Sequence, residues 1–172
     1  MEFRSGDDVV HPNYGVGNIV RLEVRQLAEN ETRLYYVLAF GKTTVWIPVQ
    51  TNRPSPLRLV TASQDLDQYR ALLKSRPVPL DRDYKKRRFE IQEQLACGSF
   101  QMICEVVRDL TALSWNRPLA GVDASLLNKV REGLWQEWAV STGQSLPDAI
   151  TEVTALLEAG EHTYKASAAV PQ

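Results

Sequence analysis

The sequence predicts an α+β chain in two parts. A small, curled antiparallel β-barrel is expected over residues 1–60 and a bundle of about five α-helices over residues 61–160, with a flexible tail at 161–172. Three observations carry this reading. Residues 18–25 alternate between apolar and charged, the period of a half-buried strand. The other apolar runs before Val60 are short, closely connected and free of helical period, as in a small barrel. After Val60 the apolar spacing changes to threes and fours.

Val9 and Val10 open the first strand, and the turn-rich stretch His11–Gly17 follows it. In the next strand Val20, Leu22 and Val24 are expected on one face and Arg21, Glu23 and Arg25 on the other. Residues 28–32 read as a polar turn. Leu34–Phe40 is rich in aromatic and β-branched residues, and Gly41-Lys42 connects it tightly to Thr43–Val49. A polar, proline-bearing loop covers residues 50–56, and Leu57–Val60 is a last short strand.

In the second part, Ser63 is expected to cap a helix running through Lys74, with Asp65 and Asp67 suited to its positive end. Pro77 and Pro79 end it and stiffen the connector. A second helix is expected from about Asp81 to Ala96, stopped at Gly98. A third carries Phe100, Ile103, Cys104, Val107 and Leu110 on one face. A fourth, from near Asp123, carries Leu126, Val130, Leu134 and Trp138. The last starts at Ser145, which forms a capping-box pattern with Asp148, and the small polar residues after Gly160 are expected to fray.

The 172 residues are 44% hydrophobic and 24% charged, ordinary values for a globular protein. The first residues, Met1–Asp8, are polar and lack the apolar core of a signal peptide, so a cytoplasmic location is expected, with no membrane contact. Cys97 and Cys104 are too few for a disulfide framework and read as buried thiols. No cofactor or metal site is expected. His11 and His162 stand far apart, and no paired-ligand spacing occurs. Gly15-Val16-Gly17 lacks the third glycine and following helix of a dinucleotide site, and no serine has the context of a nucleophile elbow. A non-catalytic binding protein is therefore expected.

The net charge of −1 excludes a bulk electrostatic nucleic-acid binder. The basic residues are nevertheless clustered: Arg82, Lys85, Lys86, Arg87 and Arg88 fall within seven positions. Cations at a helix start oppose its macrodipole, which suggests an outside anion. The competing reading is a solvated surface with Asp81, Asp83, Glu90 and Glu93 as ion-pair partners. Tyr84 favours the first, because a ring beside cations suits a contact in which phosphates are held while the ring meets bases or sugars. It also has a plain alternative, as a staple packing toward Arg88 and Ile91.

Several stretches together resemble the CarD/CdnL family of bacterial RNA polymerase-binding transcription factors. They are Phe3–Pro12 with Tyr14–Gly17, the strand ending Ile47-Pro48-Val49, Leu95–Gly98, Glu105–Leu110 and Leu127–Arg131. The resemblance implies a Tudor-like (SH3-like) barrel that binds the polymerase β subunit, and a helical domain that contacts promoter DNA at the upstream edge of the bubble and stabilises the open complex. It also implies that Arg25 and Trp46 lie on the polymerase-binding face. Tyr84 falls where many members have a tryptophan wedge, and Lys86 and Arg87 align with basic positions of the DNA-contacting helix, which Lys85 and Arg88 extend. Two residues depart from the family pattern: Phe89 stands in place of a DNA-contacting lysine, and Trp46 in place of an arginine. A monomer is expected. The alternative is a polymerase- or protein-interaction module without significant DNA contact.

Overall fold

The computed structural model describes residues 3–28, 31–50, 53 and 55–168. Part of the expected turn at 28–32, part of the loop at 50–56 and the last four residues of the expected tail lie outside these. The chain divides into two compact units, Met1–Val60 and Thr61–Gln172.

The first unit is a five-stranded antiparallel sheet of β1 (Asp8–His11), β2 (Gly15–Ala28), β3 (Glu31–Phe40), β4 (Thr43–Pro48) and β5 (Arg58–Leu59), in the order β4-β3-β2-β1-β5. Its core gathers Phe3, Val9, Ile19, Tyr36, Leu38, Phe40, Ile47 and Leu57. The short β5 returns to pair with β1, which brings the chain back across the curled sheet. Gly17 is required here by contact: a Cβ would lie 2.5 Å from the Phe40 ring and 2.7 Å from the Ala39 carbonyl oxygen.

The expected alternation in β2 is broken. The pairs Ile19–Leu38 and Arg21–Val37 advance two residues on β2 against one on β3, a bulge at Val20. Ile19 is fully buried, Leu22 packs against the core, and Val20 and Val24 are 46% and 65% exposed. The bulge takes Val20 out of phase. Val24, paired with Leu34, lies past the last core pair, Leu22–Tyr36.

The second unit holds a 3₁₀ turn (Ser63–Asp65) and five helices: α1 (Leu66–Lys74), α2 (Tyr84–Ala96), α3 (Phe100–Ser114), α4 (Gly121–Thr142) and α5 (Leu146–Ala168). They close around Leu66, Leu73, Ile91, Phe100, Cys104, Leu110, Leu134, Trp138 and Val153. Ser145 caps α5 as expected, its hydroxyl accepting from the Asp148 amide. Ser63 is no cap; it opens the 3₁₀ turn ahead of α1. On α4, Leu127 is more deeply buried than Leu126 or Val130. Steps of four residues drift about 40° each around a helix, so an i+4 stripe walks off the core, whereas Leu127 lies seven residues before Leu134 and keeps its azimuth.

Two further expectations are corrected. Cys104 is buried, but Cys97, at the end of α2, is exposed. The chain also does not fray at Gly160, because α5 continues to Ala168. Gly160 is buried against α1, where a Cβ would approach the carbonyl oxygens of Leu73 and Lys74 to 3.2 Å. Beyond it Tyr164 lies 5.4 Å from the Trp115 ring, and the Arg76 guanidinium lies over the Tyr164 ring at 5.8 Å.

Candidate functional site

The basic run begins with a cap. Asp83 adopts an extended backbone, and its carboxylate accepts from the amides of Lys85 and Lys86 at 2.8 and 3.3 Å. This local anion answers the helix start, so the macrodipole supplies no call for an outside one. The run is then sorted by depth. Arg87 is only 4% exposed. Its guanidinium meets the Asp123 carboxylate of α4 at 2.5 Å and donates to the Asp81 carbonyl at 2.6 Å. It fixes α2 on α4 and is withdrawn from the expected DNA-contacting set, because a buried, paired guanidinium presents nothing to a phosphate.

Lys86 stays at the surface but is engaged, with Asp81 at 2.7 Å and Glu90 at 3.8 Å. Asp81 raises the Lys86 pKa, and in return Lys86, then the Asp83 amide, hold the Asp81 carboxyl below its ordinary range. Lys85 and Arg88 are exposed and have no carboxylate partner among the described residues. Tyr84 is 60% exposed, with the Lys85 ammonium 6.0 Å from its ring. The staple alternative for Tyr84 therefore does not describe it. Arg88 lies one turn further along, on the side of α2 that carries Tyr84. Beside the Tyr84 ring, the cations of the run left exposed without a carboxylate partner among the described residues are Arg82, Lys85 and Arg88.

In the first unit the second candidate site lies on the sheet face away from the core. Arg21, Glu23 and Arg25 of β2 lie beside Val37, Tyr35 and Arg33 of β3, and Trp46 of β4 pairs with Val37. The Arg25 guanidinium stacks 4.3 Å from the Trp46 ring. Glu23 bridges both flanking arginines, at 2.6 Å to Arg21 and 2.7 Å to Arg25, and these bonds lower its pKa. The two residues expected at the polymerase face thus form one platform, and Val37 is fully buried beneath it. Sequence reasoning missed Glu23, which holds both arginines in place, and Asp123, which removes Arg87. Glu23 was legible as the acid in an Arg-x-Glu-x-Arg strand; nothing near Arg87 in sequence announces Asp123.

Residues 3–58 match the profile of the CarD-like/TRCF RID domain. Residues 69–154, half of the chain, match that of the CarD C-terminal domain. The protein belongs to the CarD family. A relative in Bacillus subtilis (strain 168), named "Putative transcription factor YdeB", is 27% identical over 147 residues, covering 82% of this chain and 93% of its own length. As a CarD-like protein the chain is a member of a transcription-factor family for which interaction with RNA polymerase is implied. The two departures from the family pattern both face solvent: Phe89 is 63% exposed and Trp46 37% exposed. Among the described residues there is no group of potential ligands for a metal, and no helix is long and apolar enough to cross a membrane.

Proposed function

We propose that this CarD-family protein is a bacterial transcription regulator. It binds the RNA polymerase β subunit through the sheet and contacts promoter DNA near the upstream edge of the bubble, favouring the open complex. The observation that carries the DNA half is Tyr84: an exposed ring at the start of α2, flanked by Lys85 and Arg88. The cations hold backbone phosphates with little sequence preference, and the ring favours a distorted minor groove. The Arg25–Trp46 platform and the position of β4 at the edge of the sheet among the described residues support the polymerase half, since an edge strand can accept a partner strand while the face supplies specific side chains.

Each contact is weak alone. Docking on polymerase raises the effective concentration of the helical unit at the DNA. The shift toward the open state equals the differential affinity of the protein for that state. The protein acts as a monomer, at the nucleoid through polymerase, and carries out no reaction. In the decisive experiment, open-complex lifetime and polymerase pull-down are measured together on one promoter. Tyr84→Ala is expected to shorten the lifetime and spare the pull-down, and Arg25→Glu to weaken both. A lifetime unaffected by Tyr84→Ala leaves the alternative, a polymerase-interaction module whose exposed Phe89 meets protein.

A further inference from the structure

A cleft of about 450 Å³ opens between the start of α2 and the α3–α4 loop. Arg82 and Tyr84 line it from one side, and Arg117 and the first residues of α4 from the other. Arg82 and Arg117 are exposed, and neither has a carboxylate partner among the described residues. The cleft's one acid, Asp123, is 5% exposed and already bound by Arg87, whose Nε lacks a hydrogen-bond partner. The 22-residue α4 starts at Gly121, and its N-cap residue Ala120 makes no side-chain bond, so the first-turn amides have no cap; the one acid of that turn, Asp123, is engaged by Arg87. Leu119 and the exposed Val122 add apolar surface beside the Tyr84 ring.

Two unpaired guanidiniums, a set of neutral donors and a ring with apolar surface match the parts of one nucleotide: a phosphate, then a sugar and base. We propose that this cleft holds a backbone phosphate of the DNA strand that Tyr84 meets, with Arg82 and Arg117 as its cations. The inference rests on the proposed DNA contact at Tyr84 and extends it to Arg117, a residue outside the basic run. It also gives the phosphate a concave seat, which the α2 surface alone does not.

The test uses full-length protein, RNA polymerase and a fork-junction promoter DNA, with affinity for the polymerase–DNA complex followed across salt concentration. Arg82→Ala and Arg117→Ala should each weaken binding severalfold on any promoter sequence and reduce the salt slope by about 1. Arg117→Lys should keep most of the slope. Both side chains are exposed, and circular dichroism of each variant verifies that the bundle is intact. If Tyr84→Ala weakens the complex while both arginine variants match the unaltered protein in affinity and slope, the cleft inference is overturned and the DNA contact stands. If Tyr84→Ala is also without effect, the DNA reading falls as well. Weaker binding of the arginine variants to polymerase without DNA would show that the cleft receives protein, which also overturns the inference.

Discussion

On the outer face of the sheet the solvent-facing arginines of β2 and β3 are answered within the face: Arg21 and Arg25 share Glu23, and Arg33 meets Glu31 at 3.1 Å. At the start of α2 the cations are divided by depth. Arg87 goes inward to Asp123, Lys86 is held by Asp81, and Arg82, Lys85 and Arg88 remain without a carboxylate partner among the described residues. The first arrangement is close to neutral and pre-shaped, with a guanidinium already lying on an indole. Such a surface recognises by form, and little of its affinity depends on salt. The second keeps its unpaired charge outside, the arrangement suited to a polyanion and sensitive to salt. A count of basic residues does not distinguish the two; the positions of the acids do.

The largest effect should come from the residue that left the surface. Arg87→Ala strands the buried Asp123 carboxylate and should cost about 3–5 kcal/mol of stability, read as a lowered urea midpoint. An unchanged midpoint would return Arg87 to the DNA-contacting set and erase the division by depth. Next comes Trp46→Ala. It removes the ring under Arg25, a stacking worth about 0.5–1 kcal/mol at an exposed site, and should weaken polymerase binding with little change in thermal stability. If polymerase binding is unaffected, the platform is not the docking face.

The smallest effect belongs to Lys86→Ala. Lys86 holds the Asp81 carboxyl below its ordinary range, with the Asp83 amide assisting. A carboxyl whose folded pKa is depressed contributes stability above its unfolded pKa and loses it as pH falls through the folded value. Lys86→Ala should therefore lower the melting temperature slightly at neutral pH, and the difference from the unaltered protein should vanish as pH falls through the folded Asp81 value. A large loss at neutral pH would mean that Lys86 is structural, like Arg87.

Local signals in the sequence carried far. The Ser145 cap, the stop at Gly98 and the change of period after Val60 each depend on neighbours within one or two turns, and the helices lie close to where those signals put them. The bulge at Val20 depends instead on register with β3, which alternation along β2 does not encode. Arg87 was indistinguishable from its neighbours in a run of cations because its partner lies 36 residues away on another helix. Arg25 and Trp46 were two separate expectations, and the pairing of β2 and β4 on either side of β3 brings them onto one face, where they touch. The site was thus legible as a set of residue types, and its division into structural and exposed members was not.

The seam at Gly160 bears on the order in which the helical unit forms. It joins α5 to the carbonyl end of α1, elements separated by most of that unit's length. Closing so long a loop costs chain entropy before any contact compensates it, so this docking should come after the more local pairing of α3 with α4. During synthesis α1, nine residues long, has to wait for the second half of α5 before it can dock fully. In amide hydrogen exchange, α1 and the end of α5 should then open together as one unit, ahead of the α3–α4 pair.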